Sequence, residues 1–311
     1  MSKPLIYALF GPTGVGKTAV ALALADRLRA RGEDPVAVSA DAMQIYAGLE
    51  LLTGAPSESE RAALEHRLVS IVDVAQTFSA GRYAELAHAE IDSLLVAGRR
   101  PIVIGGTGLY LRAALADLDL LPPPREGVRE HLSGELAAGG AEALHARLAQ
   151  AAPRAAAGVA PTDGRRIVRA LEVLESGELD RRSEISHETG QRGASQLWSE
   201  ELRVPTLLVG LTMARQALYA RIDERVEEML RAGAAEQVHR ASAAGASQTA
   251  VKALGFKELL EGDVEAMKRH TRQYARRQLT WMRKLARITV IDVTGRDTSD
   301  VAAEILDCAG R

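Results

Sequence analysis

Apolar and polar positions fall along the chain in blocks that change period, and the blocks name the elements. Leu5 to Phe10 is a short apolar run of buried-strand type, and Thr18 to Arg31 follows as a helix rich in Ala and Leu. Pro35 to Ser39 reads as a second strand, a helical stretch covers about 58–65, and Leu68 to Val72 is a candidate strand closed by Asp73. Tyr83 to Gly98 has the spacing of an amphipathic helix, and Pro101 to Ile104 is another buried strand. Strands alternating with helices predict an α/β fold with a doubly wound parallel sheet flanked by helices.

The pattern then shifts. Leu121-Pro122-Pro123-Pro124 signals a linker, and from about Glu126 to Glu200 no convincing strand occurs. Helical periodicity dominates at about 126–138, 141–150 and 164–176, with Ile167, Ala170, Leu171 and Leu174 on one stripe. Strand character returns at Thr206 to Leu211, followed by a helix at about 213–232 and a last strand near Ile288 to Val293. The expected division is a core of 1–120 with 201–311, interrupted by an all-helical insertion over 121–200.

Chemistry enters at Gly11-Pro12-Thr13-Gly14-Val15-Gly16-Lys17-Thr18, which has the spacing G-x-x-x-x-G-K-[ST] between a strand and a helix. Its glycines let backbone N–H groups turn toward an anion, and the helix N-terminus adds partial positive charge. Lys17 is placed to reach outer phosphates, and the Thr18 hydroxyl to sit on a magnesium ion. A ligand with two or more phosphates is expected. Taken alone, the loop suggests ATP and phosphoryl transfer.

Composition narrows the setting. Hydrophobic residues make up 47% and charged residues 26% of 311, as in globular proteins. No apolar run approaches about 18 residues and Met1-Ser2-Lys3-Pro4 leads straight into a strand, so neither a membrane span nor a signal peptide is expected. A single cysteine, Cys308, excludes an internal disulfide framework and suits a reducing cytoplasm. The net charge of −2 does not mark a nucleic-acid binder, but its distribution does. Between Lys268 and Arg287 stand eight Lys or Arg residues and no acid. On one helix Arg269, Arg272, Arg276, Arg283 and Arg287 would lie within about 60° of each other, with Tyr274, Met282 and Leu285 opposite. Such a stripe repels itself unless a polyanion screens it, so a nucleic-acid backbone is its expected partner.

Other positions are weighed one by one. Asp41 ends the second strand, where ligands of open parallel sheets bind, so it is a magnesium ligand, a general base or a turn cap. Gly105-Gly106 follows the strand at 102–104, where a phosphate-hydrolysing enzyme often carries an acid; Asp73 is a possible substitute. Arg221, Asp223 and Arg225 share a helix whose periodicity also allows a solvated face with local ion pairs. Arg165, Arg166 and Arg169 form a second basic cluster that Glu172 could equally neutralise. The seven histidines show no metal-ligand spacing, and Trp198 and Trp281 read as packing residues.

Together these segments resemble the bacterial tRNA dimethylallyltransferases over roughly 4–292. The resemblance is carried by Gly11–Thr18, Asp41-Ala42-Met43-Gln44-Ile45-Tyr46, Gly105-Gly106-Thr107-Gly108-Leu109-Tyr110 and Asp163 to Val173. Arg221-Ile222-Asp223-Glu224-Arg225-Val226, Gly255-Phe256-Lys257-Glu258 and Thr271 to Trp281 complete it. It implies a P-loop kinase-like core, a helical tRNA-binding insertion, and prenyl transfer from dimethylallyl diphosphate to the exocyclic amine of the adenosine 3′ of the anticodon, with Mg²⁺. By that resemblance Asp41 is the base, and Thr18 and Arg221 hold the diphosphate with Gly11 to Lys17. The tRNA anticodon stem-loop would meet Asp41, Ala42, Met43, Gln44, Thr107, Arg129, Arg165, Arg166, Ile167, Val168 and Arg169, with Arg276 and Arg283 from the stripe. A cytoplasmic monomer is expected.

The chain departs from the family pattern at several positions. Ala42 replaces Ser and Arg165 replaces Gln; Leu51-Leu52-Thr53-Gly54-Ala55-Pro56 replaces Ile-Gly-Thr-Ala-Lys-Pro; His66-Arg67-Leu68 replaces His-His-Leu. No proposed catalytic group is lost. The rivals are an isopentenyltransferase of free adenine nucleotides, for which the insertion and stripe have no use, and a small-molecule kinase using Asp41 or Asp73 on magnesium. A non-catalytic RNA-binding module is a third, against which the complete phosphate loop argues.

Overall fold

The computed structural model describes residues 6–118, 127–175 and 201–310. The linker signal at 121–124, Trp198 and His187 lie outside them. In chain order the elements are β1 (Ile6–Phe10), α1 (Lys17–Arg29), β2 (Pro35–Ser39), β3 (Tyr46–Ala47), α2 (Glu50–Thr53), α3 (Glu58–Ala63), β4 (His66–Arg67) and β5 (Val72–Asp73). Then come α4 (Ala80–Val96), β6 (Arg100–Gly105), α5 (Gly108–Leu115), α6 (Val128–Ala151), α7 (Pro153–Ala157) and α8 (Gly164–Glu175). The chain returns with β7 (Thr206–Thr212), α9 (Arg215–Arg231), α10 (Ala234–Ala243), α11 (Phe256–Leu260), α12 (Val264–Met282), β8 (Thr289–Asp292) and α13 (Thr298–Ala309).

Six strands form one parallel sheet in the order β4-β2-β6-β1-β7-β8. β1 pairs with β6 on one side and β7 on the other, which is why all five of its residues are buried. The chain leaves β1 toward β2 on one side and returns later to β7 on the other, so β1 marks the switch point where ligands bind. α1 packs Val20, Ala21, Leu24 and Leu28 into a core shared with Tyr7, Leu9, Val209, Ile291 and Ile305. This is the predicted α/β doubly wound sheet with flanking helices.

The predicted strand over 68–72 does not form as one piece. It splits into β4 before it and β5 at its end, because Leu68 (φ 60°) and Ser70 (φ 54°) turn the backbone left-handed. β5 pairs with β3 in a separate two-stranded sheet, so the segment from His66 to Asp73 serves two sheets. The two helices expected at 126–138 and 141–150 both form within the span of α6, separated at Gly140, whose φ of 79° and ψ of 169° break the helix between them.

The chain divides into two compact units, Met1–Leu118 with Leu197–Arg311, and Asp119–Gln196. Within the second, α6, α7 and α8 enclose their own core of Leu132, Leu144, Leu148, Ala156, Ile167, Val168 and Leu171. No described helix is long and apolar enough to cross a membrane.

Candidate active site

The carboxyl ends of β1, β2 and β6 meet at a cavity of about 1290 Å³. The loop after β1 carries Gly14 at φ 82° and Gly16 at φ 97°, conformations that cost a side-chain-bearing residue energy. Gly16 is the N-cap of α1 and supplies no side-chain cap, so the helix's first N–H groups and its dipole face the cavity. β2 and β6 end so close together that a Cβ on Gly105 would strike the Ala40 backbone. A Cβ on Gly106 would lie 3.2 Å from the Gly11 carbonyl and overlap Gln278. The Gly105-Gly106 pair thus closes space rather than holding a metal-binding acid.

Gln278, buried on α12, ties the two loops together. Its Nε2 donates to the Gly106 carbonyl at 2.8 Å, and its Oε1 accepts from the Thr13 N–H at 2.9 Å. Sequence reading missed this residue, since a glutamine on a basic helix carries no signal until the helix is seen to cross the phosphate loop.

Thr18, Asp41, Ala42, Met43, Gln44, Thr107 and Arg221 all line the same cavity, with Thr13, Gly14, Gly16 and Lys17. Asp41 also caps its turn: Oδ1 accepts from the Met43 N–H at 2.9 Å, while the other carboxylate oxygen has no hydrogen-bond partner among the described residues. The turn-cap and functional readings are therefore compatible in one side chain. Thr107 Oγ1 lies 3.5 Å from the Ala42 N–H and 3.3 Å from the Tyr274 hydroxyl. Tyr274 is pushed up to about 12 by burial and by the Asp41 charge, so its phenol is a neutral hydrogen-bonding group at the site. It faces the site, not the apolar side of the helix expected from periodicity.

Lys17 Nζ donates to the carbonyls of Gly11 (2.9 Å) and Pro12 (3.0 Å). Burial lowers its ammonium to about 8, against the opposing pull of Asp41 and with a further push from Arg225. α9 packs against the loop through Ile222 and Leu218 and presents Arg221 and Arg225 one turn apart. Arg221 Nη2 lies 3.4 Å from where a Cβ on Gly16 would be, and Arg225 Nη1 lies 3.5 Å from Thr13 Oγ1. Burial lowers the Arg225 guanidinium from its ordinary value, with Asp41 the first of the groups opposing the shift. None of Lys17, Arg221 and Arg225 forms an ion pair with a described residue, so their charge is available to an anion.

Metal binding here needs few protein ligands. Among the described residues no three His, Cys, Asp or Glu side chains cluster, so an all-protein cage is not built. A magnesium ion that keeps water and phosphate oxygens needs only one or two protein oxygens. The Thr18 hydroxyl and the Asp41 carboxylate, both on the cavity wall, are donors of that kind.

The α12 stripe is shorter than its sequence implied. The helix ends at Met282 with Arg283 as C-cap, and Arg287 lies beyond it at φ 54°. Arg272 pairs with Asp223 at 2.6 Å and Lys268 with Glu227 at 2.5 Å, acids supplied by α9. Arg269 lies 4.0 Å from Asp263. Arg276 and Arg283 are exposed and have no carboxylate partner among the described residues, and Arg277 stands over the Tyr274 ring at 5.6 Å.

In the helical unit, Arg129 and Arg169 converge on Glu172, which is 1% exposed. Burial would raise the Glu172 carboxyl, but the hydrogen bonds from the two arginines hold it below its ordinary value. Arg165 and Arg166 are exposed, Arg166 close to Asp163 at 3.5 Å. Ile167 and Val168 are buried in the unit's core, so their side chains pack the helix rather than meet a ligand.

Against known proteins, a family model described as IPP transferase matches residues 44–285. The tRNA dimethylallyltransferase of Thermobifida fusca (strain YX) is 39% identical over 96% of this chain and 92% of its own length. That of Bacillus subtilis (strain 168) is 35% identical over 94% and 92%. The crystal structure of the full-length tRNA isopentenylpyrophosphate transferase from Bacillus halodurans superposes with a TM-score of 0.67 at 32% identity, covering 99% of this chain and 96% of that one. A eukaryotic dimethylallyltransferase acting on tRNA shares the fold at a TM-score of 0.71 and 23% identity, covering 98% and 77%.

Proposed function

The chain belongs to the IPP transferase family, and on that premise we propose how its residues divide the family's reaction. The protein transfers a dimethylallyl group from dimethylallyl diphosphate to the exocyclic amine of the adenosine 3′-adjacent to the anticodon in tRNA, releasing diphosphate. The observation that carries the division is the meeting of three unpaired cations, a phosphate loop and a half-satisfied carboxylate at one cavity.

The exocyclic amine attacks the allylic carbon, the carbon–oxygen bond to diphosphate breaks, and the electron pair leaves with the diphosphate. Asp41 accepts the proton that the amine must lose, which compensates for its weak nucleophilicity. Lys17, Arg221 and the loop N–H groups hold the charge that builds on the departing oxygens. Mg²⁺, held through Thr18, neutralises diphosphate charge when bound. Thr107, with Tyr274 behind it, and the segment Asp41–Gln44 contact the target nucleotide, which must leave its stack to enter the cavity. Gln44 is itself fixed by Ser39 Oγ at 3.1 Å and the Gly54 carbonyl at 3.1 Å.

Arg129, Arg165, Arg166 and Arg169 of the helical unit, with Arg276 and Arg283 of α12, contact the tRNA backbone. Residues 1–120 with 201–311 form the catalytic core and 121–200 the tRNA-binding insertion. A cytoplasmic monomer completes the proposal, the location being consistent with a tRNA substrate.

One partition experiment tests the reading: labelled dimethylallyl diphosphate is offered with tRNA lacking the modification, with AMP, or with ATP and small acceptors. Label is expected in tRNA adenosine alone. Label in AMP only, or ATP consumption without prenyl transfer, overturns it.

A further inference from the structure

α2 ends on Gly54, whose backbone sits at φ 59° and ψ 47° as the left-handed C-cap. A Cβ built there would overlap the Arg225 guanidinium, lying 2.7 Å from its Cζ. Both facts disfavour any side chain at this position. The Gly54 peptide is held in place by Gln44, which donates from Nε2 to its carbonyl. The missing side chain therefore leaves a slot, and the slot is filled by the guanidinium of an arginine from a helix far along the chain.

From that slot Arg225 reaches the Thr13 hydroxyl of the phosphate loop, beside Lys17 and one turn from Arg221. Ala55 lines the same wall and carries no charge, so the cation at this corner comes from α9. No described carboxylate pairs with Arg225, and its burial would be unfavourable without an anion to share. Its planar fork suits phosphate oxygens better than a lysine's single point of charge.

We propose that Arg225 is a second guanidinium holding the donor's diphosphate, seated by Gly54, which acts as its positioning residue. The inference rests on the cavity being the diphosphate site. With Lys17 and Arg221 it gives three cations on one leaving group, approached from the loop and from α9.

Calorimetric titration of the full chain with inorganic diphosphate and magnesium chloride tests this, with thermal unfolding of each variant as the check on folding. Arg225→Met is expected to weaken diphosphate binding by at least about tenfold, and Arg225→Lys by less. Gly54→Ala is expected to weaken it as well, because the added methyl displaces the guanidinium. The double variant Gly54→Ala with Arg225→Met should then bind no worse than Arg225→Met alone, since both act through one group. Wild-type affinity in Arg225→Met, alongside loss in Lys17→Ala, overturns the inference and leaves the reading of the cavity standing. Losses that simply add in the double variant overturn the link to Gly54. A wild-type chain that does not bind diphosphate overturns both the reading and the inference.

Discussion

Around the cavity, Lys17, Arg221 and Arg225 meet no carboxylate among the described residues, whereas in the helical unit Arg129 and Arg169 both end on the buried Glu172. The two regions use the same residue types for different ends. In the first, positive charge is left uncompensated and pressed together, at a cost that burial records by lowering both Lys17 and Arg225. In the second, the carboxylate absorbs the charge of α6 and α8 and fixes one helix to the other, while Arg165 and Arg166 stay on the surface. The cations at the cavity are thus left for a ligand, whereas Arg129 and Arg169 also tie α6 to α8 through Glu172. α12 carries both kinds: Arg272 is paired to Asp223, and the exposed Arg276 meets no carboxylate among the described residues.

The largest effect should come from the cavity. Replacing the Asp41 carboxylate by Asn keeps an oxygen to cap the turn to Met43 but removes the base. Turnover is expected to fall by about 10²–10⁴ with tRNA affinity retained, and Asp41→Ala should fall as far. Recovery of activity in Asp41→Asn over Asp41→Ala would return Asp41 to a turn cap.

Next in size is the contribution of the free arginines on α12. Arg276→Ala with Arg283→Ala should weaken tRNA binding about tenfold and reduce the slope of log affinity against log salt by about 1.5, with donor affinity unchanged. An unaltered slope, read from filter binding across a salt series, removes them from the tRNA surface.

The lowered Lys17 sharpens the contrast by pH. Its ammonium is present below about pH 8 and lost above it, so diphosphate affinity should decline as pH rises past 8, by up to about tenfold per unit. Lys17→Arg, which stays charged, should abolish that limb of the titration.

The smallest effect belongs to the scaffold. Glu172→Gln removes the charge from a pair whose arginines are partly solvated, and should cost about 1 kcal/mol in denaturant unfolding with no loss of diphosphate binding. A loss of diphosphate affinity would show that the two regions are not separable in this way.

Much of this was legible in the chain, for physical reasons. β1, β2 and β6 are buried on both faces, so their apolar runs are continuous, and the glycine spacing of the loop admits few conformations. Asp41 was placed by topology alone, because β2 must end where the sheet's ligands bind. What the chain concealed depended on distant partners. Asp223 and Glu227 pair with Arg272 and Lys268, two of the eight cations in a segment that looks purely basic over 268–287, since α9 and α12 meet only in three dimensions. Leu68 and Ser70 look like strand residues, yet the turn between two sheets forces both left-handed. Gln278 and Tyr274 gain their meaning only from the loops they touch. Ile167 and Val168 sit inside a motif whose arginines are exposed, and only the packing of α8 on α6 separates the two sets.

The division of labour itself is tested most directly by crossing two variants with two ligands. Affinities for inorganic diphosphate and for an anticodon stem-loop RNA are measured on Lys17→Ala and on Arg165→Ala with Arg166→Ala. Lys17→Ala is expected to lose diphosphate and keep the RNA, and the double variant to lose RNA and keep diphosphate. Equal loss of both ligands in either variant, or the reverse pattern, would contradict the account.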